Sequence, residues 1–210
     1  MTRLIITLLL LYSFTSCQDY ENEEYVKIEN EAISDIIPEI TDYQKITKLP
    51  QQKNDHLKLF VCNKLDNTTA WTQKPEGYST GQNGEAYSKE RAEENKIEFE
   101  EDIDKYVQEE ALFFNLKSGK IKKRTLQHTF DLKGLDIEFV EIDNIKNYKL
   151  QEGEIGVLFI SRIDFNSAFT KGYLHYKFFC GEACAWSSNI EIQKVNGVWK
   201  ITEYFSGVVA

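Results

Sequence analysis

The last fifty-odd residues alternate most clearly between apolar and polar side chains, and this pattern predicts β-sheet. Successive side chains of a strand point to opposite faces, so a strand with one buried face reads as an alternation. We predict four strands, at about 156–165, 172–180, 184–194 and 198–205, that follow one another as an antiparallel meander.

A tight turn sets the register of the last hairpin. Asn196-Gly197 favours a type I′ turn, because both central residues of that turn need positive φ. Val195 is then expected to face Val198, and Ile192 to face Ile201. Counting back along the strand separates two faces. One carries Trp186, Ser188, Ile190 and Ile192, and the other carries Ser187, Asn189, Glu191 and Gln193.

A second hairpin tests this register. If Cys180 pairs with Cys184, the same apolar face receives three further pairs: Phe178 with Trp186, Tyr176 with Ser188, and Leu174 with Ile190. Opposed strand residues can lie close enough for a disulfide, so we predict a Cys180–Cys184 bridge. Free thiols and a redox or metal motif are the alternatives. Cys62, on an apolar strand over 57–62, is expected to be buried and unpaired.

Helical spacing appears in two earlier segments. Apolar residues over 28–37 predict a helix that Pro38 ends. Residues 85–110 predict an acidic amphipathic helix that packs through one stripe of Phe99, Ile103, Tyr106 and Val107. A calcium site in this acidic segment is the alternative, but the alternating Asp ligands and central Gly of a calcium loop are absent. Further strands are predicted over 125–132 and 137–142.

The N-terminus carries an apolar run too short to span a membrane, followed by small residues and a cysteine. Phe14-Thr15-Ser16-Cys17 resembles the lipobox of bacterial lipoproteins, with Phe14 in place of the usual Leu. The resemblance implies a signal peptide over 1–16 and an acylated, palmitate-bearing Cys17 as the mature N-terminus. An ordinary signal peptide cleaved nearby is the alternative.

Four acids and no base follow Cys17, so residues 17–27 are predicted to be a solvated acidic tether. This run resembles the acidic tag behind the lipidated cysteine of surface-exposed lipoproteins of the Bacteroidota. The resemblance implies anchoring in the outer membrane and favours display at the cell surface.

Composition predicts a folded body over 28–210. With 41% apolar residues, we expect one α+β domain whose N-terminal helices pack on an antiparallel sheet. The chain has 34 acidic and 25 basic residues, a net charge of −9, which argues against a nucleic-acid partner. The one basic cluster, at 120–124, is expected to be a solvated loop or an edge strand.

Candidate catalytic chemistry is sparse. The three histidines, His56, His128 and His175, lie in no recognised motif, and His175 should face away from Cys180 on its strand. No nucleophile elbow, zinc helix or phosphate-binding loop appears. We therefore predict no catalytic residue, metal or cofactor.

Three short motifs carry a resemblance in the C-terminal fifty residues: Ser161-Arg162-Ile163-Asp164-Phe165-Asn166, Cys180 to Cys184, and Gly197-Val198-Trp199-Lys200-Ile201. Together they resemble the ending of uncharacterised secreted lipoproteins of flavobacteria. The final hairpin is also similar to that of NTF2-like α+β domains. Neither resemblance implies a catalytic residue.

The sequence thus predicts an envelope-anchored lipoprotein, held to the membrane by its lipid, that acts as a non-catalytic binding or interaction module. Its partner would be a protein or a small apolar ligand held near Trp186 and Trp199, although these aromatics can also simply fill the core. The alternatives are an enzyme whose site is assembled from distant residues and an immunity or stress-response lipoprotein with an acidic binding surface.

Overall fold

The computed structural model describes residues 19–41, 57–65, 77, 79–82, 85–126, 135–141, 149–181 and 184–209. Cys17, the segment before it, His56 and His128 lie outside these residues. The described helices are α1 (Glu23–Ile40), α2 (Lys89–Leu112) and α3 (Phe114–Lys117). The described strands are β1 (Leu57–Cys62), β2 (Lys64–Leu65), β3 (Gly81–Gln82), β4 (Glu85–Ala86), β5 (Arg124–Thr125), β6 (Leu135–Val140), β7 (Glu154–Ile160), β8 (Asp164–Phe165), β9 (Lys171–Gly181), β10 (Cys184–Val195) and β11 (Val198–Val209).

The fold is α+β, built on a large mixed sheet in the order β11-β10-β9-β7-β1-β6, with β8 paired to β9. The prediction of an antiparallel sheet is wrong at one end, because β1 runs parallel to both β6 and β7. Strands buried on both faces read as continuous apolar runs, and β1 and β7 are buried over most of their length. Two small antiparallel pairs, β2 with β5 and β3 with β4, complete the sheets of the described chain.

The C-terminal strands follow the predicted register. Ile192 pairs with Ile201 and Val195 with Val198, around a turn in which Asn196 and Gly197 have φ of 54° and 85°. On the other side of β10 the three predicted pairs are present, and the pairings β7–β9, β9–β10 and β10–β11 are all antiparallel. The predicted strand at 156–165 is interrupted: β7 ends at Ile160 and β8 begins at Asp164.

The predicted disulfide is present. Cys180 and Cys184 are bonded, with Cα atoms 5.1 Å apart. An irregularity in the strand pairing places Cys184 opposite Gly181 rather than opposite Cys180, so the bridge is slightly diagonal. Cys62 is buried in β1 and reduced, as predicted.

The N-terminal segment differs from its prediction. A solvated tether is wrong for residues 19–27, because Asn22 caps α1, the helix begins at Glu23, and Tyr20 and Tyr25 are in the core. Pro38 also does not end the helix, which continues to Ile40. A proline in the last turn removes one backbone hydrogen bond, and burial of Ile37 and Ile40 on either side keeps the helix in place.

The acidic helix α2 is present, but its predicted packing is not. Ser88 caps its first turn, and Glu109 is its one buried residue. Phe99, Ile103 and Tyr106 are only half-buried, and Val107 is 59% exposed. A stripe of four apolar side chains among ten acids leaves the helix largely in solvent.

The two faces of the sheet are covered by different helices. We call the face that carries Leu174, Ile190 and Ile192 the first face, and helix α1 lies against it. The backbone N–H of Trp199 donates to Asp35 of α1 at 2.9 Å. The second face carries His175, Asn189 and Glu191. Phe113, between α2 and α3, covers it through edge-to-face contacts with Tyr173 and Phe205.

Candidate functional site

A buried cation joins the N-terminal segment to the interruption between β7 and β8. Arg162 lies in that interruption, and its side chain is 0% exposed. Its guanidinium donates from Nε to both carboxylate oxygens of Glu29, at 2.9 Å each. It also donates from Nη2 to the carbonyl of Tyr20 and from Nη1 to the carbonyl of Lys122, each at 2.6 Å. One side chain therefore ties together three distant parts of the chain.

Glu29 is the counter-charge at the centre of this arrangement. Its carboxylate, also 0% exposed, accepts from Arg124 Nε at 2.6 Å and from the backbone N–H of Ile163 at 2.8 Å, in addition to Arg162. Burial alone lowers the pKa of Arg162, but the carboxylates of Glu29 and Glu21 outweigh burial and raise that pKa. Arg162 therefore stays charged, and the Glu29 carboxylate beside it is the counter-charge that a buried guanidinium needs to compensate its desolvation. We call Glu21, Glu29, Arg124 and Arg162 the Arg162 network.

Aromatic and polar side chains pack around the Arg162 network and attach the N-terminal segment to the core. The Tyr25 hydroxyl donates to the carbonyl of Ile163, and burial raises the pKa of Tyr25, which keeps the hydroxyl protonated as a donor. The Tyr25 ring lies under the Arg162 guanidinium at 5.8 Å and packs edge-to-face on Phe165. Asp164 accepts from Asn115 at 2.8 Å, and burial raises its pKa. The segment that begins at Tyr20 is therefore part of the core.

A second polar arrangement lies on the second face of the sheet. Nδ1 of His175 lies 2.6 Å from the Asn189 carboxamide oxygen, and Asn189 donates to Glu109 of α2 at 2.5 Å. Burial lowers the pKa of His175 to about 4, so the imidazole is neutral at pH 7. Its ring is nearly inaccessible to solvent. This chain of hydrogen bonds attaches the end of α2 to the sheet.

A third polar arrangement, centred on Glu191, lies on the same face of the sheet. Its carboxylate accepts from Lys171 at 2.8 Å, from Gln193 at 2.7 Å and from Thr202 at 3.0 Å. Burial raises the pKa of Glu191, but these donors outweigh it and lower that pKa. The carboxylate is saturated by protein donors, which suits a structural role.

The described part of the chain holds no group of three His, Cys, Asp or Glu side chains able to bind a metal ion. Comparison with protein-family models, with curated proteins and with solved structures finds no match to this chain.

Among the described residues, no helix is long and apolar enough to cross a membrane.

The structure separates the residues that the sequence singled out. The Cys180–Cys184 bridge lies at a hairpin tip, and His175 is on the second face. The ring centroids of Trp199 and Phe165 are 5.0 Å apart, and those of Trp186 and Phe178 are 4.5 Å apart, so both tryptophans fill apolar space. Sequence reasoning missed Arg162 and Glu29. The one available signal was a charged pair, Arg162 and Asp164, inside an otherwise apolar strand pattern.

Proposed function

We propose that this protein is an envelope lipoprotein, anchored through acylated Cys17, whose domain acts as a non-catalytic interaction module and presents the acidic helix α2 to a basic partner. The observation that carries the proposal is the attachment of the N-terminal segment. Arg162 binds the carbonyl of Tyr20, only three residues beyond Cys17.

This short connection limits the distance between the domain and the bilayer surface. Three residues span at most about 11 Å when fully extended. A diacylated and N-acylated cysteine at position 17 would therefore hold the domain close to the bilayer surface rather than on a long flexible tether. The buried Tyr20 and Tyr25 give the anchor a rigid base, because they cannot leave the core without exposing apolar area.

Helix α2 supplies the interaction surface. Between Lys89 and Leu112 it has ten acidic and four basic residues, so it carries a net −6 of the chain's −9. Val107 and Phe114, seven residues apart, remain 59% and 63% exposed. Large exposed apolar side chains within a strongly acidic helix and just after its end fit a basic, amphipathic partner, which the field of the helix would attract before contact.

Anchoring is tested by fractionating cells that express the wild-type chain or Cys17→Ala. The wild type should sediment with membranes and resist extraction by high salt, because several acyl chains bind durably. Cys17→Ala should lose this lipid-dependent retention. Equal salt-resistant retention of both chains would contradict the anchor.

The interaction surface is tested by placing a photo-crosslinking amino acid at Val107, with the exposed Glu203 of β11 as the matched control position. A defined adduct is expected from position 107 and not from position 203. Replacing Asp104 and Glu100, one and two turns before Val107, with Asn and Gln should weaken that adduct. An adduct that survives these replacements, or forms only from position 203, would refute a role for α2.

A further inference from the structure

We infer that Lys120, Lys122 and Lys123 form a second membrane contact, a lysine surface that binds the phosphate groups of an anionic lipid bilayer beside the lipid anchor. The inference rests on the proposed anchoring at Cys17. Its basis is a juxtaposition: the Arg162 network holds this basic segment against the first residues after the anchor.

The geometry follows from a single guanidinium. Arg162 donates to the carbonyls of Lys122 and Tyr20 at 2.6 Å each, so those two oxygens lie within about 8 Å of one another. Cys17 is at most about 11 Å of chain before Tyr20. The lysine surface therefore lies close to the point where the acyl chains would enter the bilayer.

The segment is also presented rigidly. Ile121 is buried in the core between two exposed lysines, so Lys120 and Lys122 project outward from a fixed backbone. Lys120 reaches Asn115 of α3 at 3.4 Å, and Lys123 is exposed as well. Three ammonium groups on one short segment, held in place by the buried Ile121, are point charges suited to lipid phosphates.

Acidic residues border this surface and reduce its net charge. Glu21 is engaged by Arg162 at 3.2 Å, and Asp19 accepts from the backbone N–H of Glu21. Glu23 and Glu24 are exposed in the first turn of α1. Helix α2 instead carries −6 of the chain's net charge of −9. Anionic lipid is thus favoured over a free partner, because the anchor already places the lysines at the bilayer.

The test uses the full lipidated chain, reconstituted into vesicles of phosphatidylcholine alone or with one third phosphatidylglycerol. A membrane-impermeant amine-acylating reagent labels accessible lysines, and peptide mass spectrometry compares each lysine with Lys105 of α2 in the same sample. Lys105 is 73% exposed and serves as the internal control. Labelling of Lys120, Lys122 and Lys123 relative to Lys105 should fall about threefold or more in anionic vesicles compared with detergent.

Raising the salt to about 0.5 M should restore most of this labelling, since screening weakens contacts between exposed charges and lipid phosphates. Unchanged relative labelling in anionic vesicles would overturn the inference, as would protection by phosphatidylcholine alone that salt does not relieve. The intact mass of the same sample separates the two proposals. An acylated chain with unprotected lysines refutes the lysine surface alone, whereas a chain without acyl groups refutes the anchor and this inference with it.

Discussion

Glu29→Gln is the sharpest test of the Arg162 network. The change keeps the size of the side chain and removes its charge. The carboxylate now accepts from Arg162, Arg124 and the backbone of Ile163 in a fully buried position. A carboxamide has one accepting oxygen, and its NH₂ group would point at a guanidinium that also only donates.

The magnitude follows from the burial. Removing one partner of a buried ion pair leaves an uncompensated charge and costs about 3–5 kcal/mol. Two arginines share Glu29, but Arg124 also donates to Asn30 and reaches solvent, so it can relax. Arg162 is 0% exposed and cannot. We therefore expect the free energy of unfolding to fall by about 3 kcal/mol or more, a large part of the 5–15 kcal/mol typical of a domain.

Urea unfolding of the full chain at pH 7, followed by tryptophan fluorescence, measures this loss. If the free energy of unfolding falls by about 3 kcal/mol per M of urea, the urea concentration at the unfolding midpoint should be about 1 M lower for the variant than for the wild type. The matched control is Glu98→Gln on the exposed side of α2, which should change stability by less than about 0.5 kcal/mol. A loss below about 1 kcal/mol for Glu29→Gln would refute the view that this network holds the N-terminal segment.

Three further predictions follow from the same structure. Replacing Cys180 and Cys184 together with Ser should lower the free energy of unfolding by about 2 kcal/mol without preventing folding, because the closed loop is short; urea unfolding with and without reductant measures this. The pKa of His175 is about 6.5 in the unfolded chain and about 4 in the folded protein, so the free energy of unfolding should fall by up to about 3 kcal/mol as the pH drops from 6.5 to 4. Urea unfolding at pH 7 and pH 4.5 should show this loss for the wild type and not for His175→Gln. Phe113→Ala should cost about 3–5 kcal/mol and Phe114→Ala less than about 0.5 kcal/mol, because the first ring is buried and its neighbour is exposed; equal thermal shifts would contradict the observed packing.

Local chemistry made the C-terminal hairpins predictable. The Asn196-Gly197 turn and the short Cys180–Cys184 loop each determine a register, and a one-residue error would have moved the apolar side chains to the wrong face. The apolar run of β1 likewise indicated a strand. Its parallel pairing was not predictable, because β1 and β6 are separated by more than seventy residues and pairing direction leaves no local pattern.

The Arg162 network could not be predicted for a related reason. Its members come from the segment before α1, from α1, from β5 and from the gap between β7 and β8, and each is an ordinary charged residue in its own segment. The acids after Cys17 looked like a solvated tether, because Asn22 as a helix cap and Tyr20 and Tyr25 as core residues become meaningful only once Arg162 is known to bind there. Helix α2 shows the opposite error: its apolar stripe was real, but the sequence does not show whether anything packs against it.

The most direct test of the central claim is the intact mass of the mature protein extracted from membranes, together with the identity of its N-terminal peptide. We predict that the chain begins at Cys17 and carries a diacylglyceryl group on its sulfur and an acyl group on its amine. A mature chain that begins at any other residue, or an unmodified Cys17, would contradict the account.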